Sequence, residues 1–105
     1  MATTEVNAGV CGFVTTIRAT SEDMQTATVS LDSQCASMQA MGKALSELNA
    51  MRECFGPYED SEVFQAASKH CRHPACPVPA AIIKTVEVAC GFALPKNVTI
   101  TVTKE

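Results

Sequence analysis

At 105 residues the chain has room for one domain, residues 1–105, and one core. Its net charge of −3, with eight scattered lysines and arginines, does not supply the clustered basic face that nucleic acid requires. No run of about 18 apolar residues is present to span a membrane, and Ala2-Thr3-Thr4-Glu5-Val6-Asn7 after Met1 has neither the basic nor the apolar stretch of a secretory signal. A cytoplasmic location is therefore expected. In that reducing setting six cysteines point to metal, catalysis or packing rather than to a disulfide framework.

The first clear element is a β-hairpin. Phe13 to Ala19 is rich in β-branched residues. Thr20-Ser21-Glu22-Asp23 is a polar turn, and Thr26 to Asp32 alternates Ala27, Val29 and Leu31 against Thr28, Ser30 and Asp32. Val6 to Val10 extends the first strand or forms an irregular lead-in. Met38, Met41, Leu45 and Leu48 then fall on one helical stripe, predicting a helix from Ser33, its N-cap, to about Asn49. Glu53-Cys54-Phe55-Gly56-Pro57 closes that section with a breaker pair. Asp60 or Ser61 caps a shorter helix with Val63, Phe64, Ala67 and Cys71 on one face.

Three prolines between His70 and Pro79 make that stretch a loop. Pro79 suits the first turn of a third helix, whose apolar face is Ile82, Ile83, Val86, Ala89 and Cys90 and whose C′ residue is Gly91. Val98, Ile100 and Val102 alternate with Thr99, Thr101 and Thr103, which predicts a last strand joining the hairpin's sheet. The order β-β-α-α-α-β predicts an α+β fold. It is a two-layer sandwich with a mainly antiparallel sheet and helices on one face.

Three cysteines occupy positions suited to chemistry. Cys11 lies in the small-residue turn Ala8-Gly9-Val10-Cys11-Gly12. Cys35 opens the first helical pattern. Cys76 precedes the third, a few residues after His70, Cys71 and His73. A helix N-terminus favours thiolate through its dipole and free N–H groups, and the thiolate is the form that binds metal or attacks sulfur. Zinc takes four nitrogen or sulfur ligands, and iron–sulfur clusters take thiolates. Cys11, Cys35 and Cys76 are the candidate ligands, with His73 or Cys71 as a fourth.

These residues resemble the U-type iron–sulfur cluster assembly scaffold proteins. In that family a Cys-Gly lies near the start of a β-meander, a second cysteine at a helix entry, and a third beside a histidine ahead of another helix. Here the matching positions are Cys11-Gly12, then Cys35, then Cys76 near His73 and followed by Val78-Pro79-Ala80-Ala81-Ile82-Ile83-Lys84. The resemblance covers roughly Cys11 to Gly91. It departs where Phe13 replaces an aspartate two positions after the first cysteine, where Pro74 and Ala75 separate His73 from Cys76, and in the C-terminal strand. The chain is also similar to small proteins of anaerobic microbes that have no assigned activity.

The resemblance implies a cluster scaffold or carrier, with cluster donor or acceptor proteins as partners and Cys11, Cys35, Cys76 and His73 at the iron–sulfur or zinc site. A thiol enzyme is the rival reading, with Cys35 or Cys76 as nucleophile and His73 as base. A third reading is a structural module whose cysteines only pack. Cys90 and Cys54 are expected to be packed thiols, and Cys71 either core or ligand. His70 and His73 have a bland alternative as C-terminal partners of the second helix. Met38, Met41 and Met51 are expected in the core and Glu87 in solvent.

Overall fold

A computed structural model describes all 105 residues. The fold is α+β, and the helices pack on one face of a four-stranded antiparallel sheet. Strands β1 (Ala2–Asn7), β2 (Val14–Thr20), β3 (Thr26–Ser33) and β4 (Glu47–Asn49) lie in the order β1-β2-β3-β4. Helices α1 (Ala36–Ala44), α2 (Ala50–Phe55), α3 (Glu62–His70) and α4 (Val78–Ala89) follow, with a 3-10 turn at Tyr58–Asp60. No helix is long and apolar enough to cross a membrane.

The pleat separates two chemistries. Register places Ala2, Ala19 and Val29 in one inward row, and Thr4, Ile17 and Leu31 in the next. Ile17, Ala19, Ala27 and Val29 are buried there against Met38, Met41, Leu48, Val63, Ile82 and Val86. The outward rows carry Thr3, Arg18 and Ser30, then Glu5, Thr16 and Asp32, so that face stays in water. Helix α1 covers β3, and α4 lies across β1 and β2. Thr85 Oγ1 in α4 is hydrogen-bonded to Thr4 Oγ1 in β1 and to the Ala81 carbonyl oxygen, 2.7 Å from each.

The β2–β3 hairpin follows its local chemistry. Asp23 Oδ1 accepts from the Gln25 and Thr26 N–H groups, each at 2.9 Å, and Ser21 Oγ accepts from Met24 N at 2.9 Å. These bonds close the turn around Met24, the only non-glycine with positive φ, at 60°. The Thr26 and Gln25 N–H groups also hold the Asp23 carboxyl below its ordinary range. Ser61 caps α3 by accepting from Phe64 N at 3.2 Å. Gly91, with φ +78°, ends α4 in a Schellman pattern, Phe92 N bonding Glu87 O and Gly91 N bonding Val88 O.

Four expectations are corrected. The helix expected from Ser33 to Asn49 stops at Ala44, and Leu45 turns extended. Leu48 still reaches the core, because β4 pairs Leu48 with Ala27 on the inward face, and α2 starts directly behind it. The N-cap of α1 is Cys35 rather than Ser33; Ser33 Oγ instead accepts from Cys35 N at 3.1 Å. Val6 to Val10 does not extend the hairpin's first strand: Val6 and Asn7 end a separate strand, β1, whose pairing with β2 compensates for a weak local signal, and Ala8 to Val10 lead into the turn. The strand expected at Val98 to Thr103 does not form. After Phe92 the chain leaves the body and reaches no sheet edge, so the alternating pattern has no ladder to join.

Candidate functional site

The path of the chain gathers cysteines at one end of the sandwich. A Cβ on Gly91 would lie 2.8 Å from Met24 Cε, so the C-terminus of α4 sits at the β2–β3 turn. Its N-terminus therefore points to the other end, where β1 runs into β2 and where β3 delivers the chain into α1. Cys11 is in the β1–β2 connection, Cys35 caps α1, Cys71 caps the C-terminus of α3, and Cys76 lies just before α4. That end holds four of the six cysteines, and Cys90 lies at the opposite end of α4.

Cys35, Cys71 and Cys76 pack half-buried against the core. Beneath Cys35 the inward face of the sheet turns polar. Buried Thr15 Oγ1 donates to Ser33 Oγ at 2.9 Å, and that oxygen receives the Cys35 N–H. Cys71 N donates to Ala67 O at 2.8 Å, which closes α3, and Cys71 Sγ donates to the His73 carbonyl at 3.4 Å. Cys76 N donates to the same carbonyl at 2.9 Å. His73 thus shapes the loop through its backbone, while its residue as a whole is exposed.

Burial pushes the Cys76 thiol up from its ordinary value. A hydrogen bond from the Val78 N–H, at the start of α4, acts the other way, and the neighbouring Cys71 and Cys35 add to the rise. The helix-terminal stabilisation expected from the sequence is present, but desolvation outweighs it. Cys76 therefore holds its proton more tightly than an ordinary thiol, with Cys71 and Cys35 as sulfur neighbours.

Cys11 stands apart from this trio. It is exposed in a turn closed by Gly12 N on Gly9 O at 2.9 Å, with φ +93° at Gly9 and +75° at Gly12. A Cβ at either glycine would meet nothing within 4 Å, so the turn stands clear of the body. No group of three or more His, Cys, Asp or Glu side chains is drawn close enough to hold a metal ion. Of the expected ligands, Cys35 and Cys76 are neighbours. Cys71 completes their group, with Cys11 and His73 on exposed segments at the same end.

Sequence reasoning missed Glu53. Its side chain is fully buried at the junction of α2 and α3. Oε1 accepts from Ser61 Oγ at 2.6 Å and from Val63 N at 3.2 Å; Oε2 accepts from Glu62 N at 2.9 Å and from Arg52 Nε at 3.2 Å. A carboxylate is thus set on the N-terminus of α3, where the dipole favours it. Arg52 also reaches Glu62 at 3.3 Å. The partners lie eight to ten residues away, beyond any capping-box spacing. Cys54, next in the chain, is pushed up to about 12 by burial first, then by Glu87, Cys90 and Glu53. Glu87 is half-buried rather than solvated. Met38 and Met41 are core as expected, whereas Met51 is exposed.

The chain belongs to a family of unknown function (DUF6951), whose profile matches residues 2–102. No curated protein and no solved structure matches it.

Proposed function

We propose that this member of the family binds a thiophilic metal, zinc or an iron–sulfur cluster, at the thiol end and acts as a carrier or scaffold. Cys35, Cys71 and Cys76 are the ligands in this reading, with Cys11 or His73 brought in from its exposed segment as the fourth. The observation that carries it is the gathering at one end of thiols from three separate segments: Cys76 in the lead into α4 is in hydrogen-bond contact with Cys71 at the end of α3, and Cys35 at the start of α1 is near enough to raise its titration. Burial, and then the neighbouring Cys71 and Cys35, disfavour a Cys76 thiolate in the free protein. A bound cation reverses that balance, because it cancels the repulsion and displaces the thiol protons. Soft thiolate sets select zinc and iron–sulfur centres over hard cations. Two exposed flanking segments suit a site that must load and release its cargo to donor or acceptor proteins.

The contact between Cys71 and Cys76 favours a second reading, a dithiol that cycles through a disulfide. The raised titration of Cys76 speaks against it as the attacking sulfur at neutral pH. Anaerobic purification followed by metal analysis and absorbance spectroscopy separates the two. Bound zinc or a brown cluster that disappears in Cys76→Ser is the expected result. Colourless, metal-free protein that takes up no zinc, with one thiol reacting fast at neutral pH, overturns the metal reading and favours the dithiol.

A further inference from the structure

Val98 to Thr103 has the pattern of a strand and no sheet to join. Val98, Ile100 and Val102 are 59, 73 and 87 % exposed, and residues 93–105 make no backbone hydrogen bond within the chain. The family match runs to residue 102, so this pattern belongs to the domain itself. The sheet meanwhile ends in an open edge: β1 is paired to β2 on one side and to nothing on the other along its six residues. Such an edge is a template for another strand. Thr4 and Val6, the inward side chains of that edge, are only half-buried.

The tail leaves the body at Phe92, whose ring packs on Phe55 with centroids 5.3 Å apart. The molecule is 45 Å long against 27 and 25 Å in its other directions. Within one chain the tail stands off its own sheet, so the edge and the strand are complementary but separate.

We propose that the partner is a second copy of this chain, and that each copy adds its Val98–Thr103 segment as a fifth strand beside β1 of the other. Six tail residues face the six of β1. Val98, Ile100 and Val102 extend the apolar face past Ala2, Thr4 and Val6, while Thr99, Thr101 and Thr103 extend the polar face past Thr3, Glu5 and Asn7. A reciprocal exchange is isologous and closes at two copies. It involves none of the six cysteines, so it stands apart from the metal reading.

Sedimentation equilibrium on the full chain, with amide exchange of β1, tests the exchange. The wild type and Ile100→Val sediment as dimers, and the β1 amides not bonded to β2 are protected. In Thr99→Pro/Ile100→Pro, whichever of the two adjacent N–H groups faces β1 is removed. Because Thr99 and Ile100 are exposed, circular dichroism stays native while the dimer is lost and those β1 amides exchange freely. A monomeric wild type overturns the proposal, as does a dimer that survives Thr99→Pro/Ile100→Pro. Protected β1 edge amides in a monomer also overturn it, since the tail then folds back on its own sheet.

Discussion

At the α2–α3 junction a buried carboxylate meets four donors and nothing polar is left over; at the thiol end three half-buried cysteines share few partners, Cys71 bonding the His73 carbonyl and Cys76 contacting Cys71. The first arrangement is closed. Both Glu53 oxygens are used, each by two donors. The second is open, with weak donors, raised thiol titration and exposed segments on either side. The contrast separates a place where the fold is held from a place where something else can be held.

The sharpest way to break the contrast is Glu53→Ala. It leaves the Ser61 hydroxyl, the Glu62 and Val63 N–H groups and Arg52 Nε without their acceptor, while Arg52 keeps Glu62, and each stranded buried donor costs about 1–3 kcal/mol. Thermal or urea denaturation is expected to show that loss, with metal uptake of the remaining folded protein unchanged. Cys90→Ser comes next. Cys90 is 2 % exposed, and a buried hydroxyl without a partner costs about 1–3 kcal/mol, less if it bonds back to the Val86 carbonyl. This variant keeps its metal and melts earlier.

The alkaline limb gives a smaller effect. The Cys54 thiol is raised from 9.0 to about 12 on folding, so the unfolded chain releases its proton first. Its contribution to stability is complete below about pH 9 and is lost as pH climbs toward 12. Urea midpoints measured across that range should fall with pH, and Cys54→Ala should flatten the fall. At neutral pH Cys54 should resist iodoacetamide in the native protein.

Cys76→Ser has the smallest effect on folding. Half-buried on a loop, it should change apoprotein stability by less than Cys90→Ser does, by about 1 kcal/mol. The expected effect on zinc uptake is large: changing only a hydrogen-bond partner of a metal ligand lowers affinity about 10–100-fold, and a lost ligand should lower it at least as much. If Cys76→Ser unfolds the apoprotein while Cys90→Ser loses metal, the two cysteines have been assigned to the wrong regions.

What could be read from the chain beforehand follows the same division. The β2–β3 hairpin, the Ser61 cap and the Gly91 terminus are set by residues within a few positions of one another, and local patterns found them. The stripe Met38, Met41, Leu45 and Leu48 named core residues correctly but misplaced the helix end, because a strand can bury Leu48 as well as a helix can. Glu53 was invisible, since its partners lie across a breaker pair and a 3-10 turn. Cys35 and Cys76 stood out by their helix starts. In the sequence their third neighbour, Cys71, reads equally as core or ligand, because only the packing of α3 against α4 brings it to Cys76. The tail shows the reverse error, a strong strand pattern that cannot say which chain supplies its neighbour.

The bond between Thr4 and Thr85 spans 81 residues, and it implies an order of events during synthesis. The first three strands are consecutive and can pair as soon as they are made, yet α4, the helix that covers β1 and β2, is translated last among the helices. At ribosomal rates of about 5–20 residues per second, the nascent meander waits several seconds with Ile17 and Ala19 uncovered. Until α4 emerges, α1, which packs on β3, is the first helix available to cover part of that face.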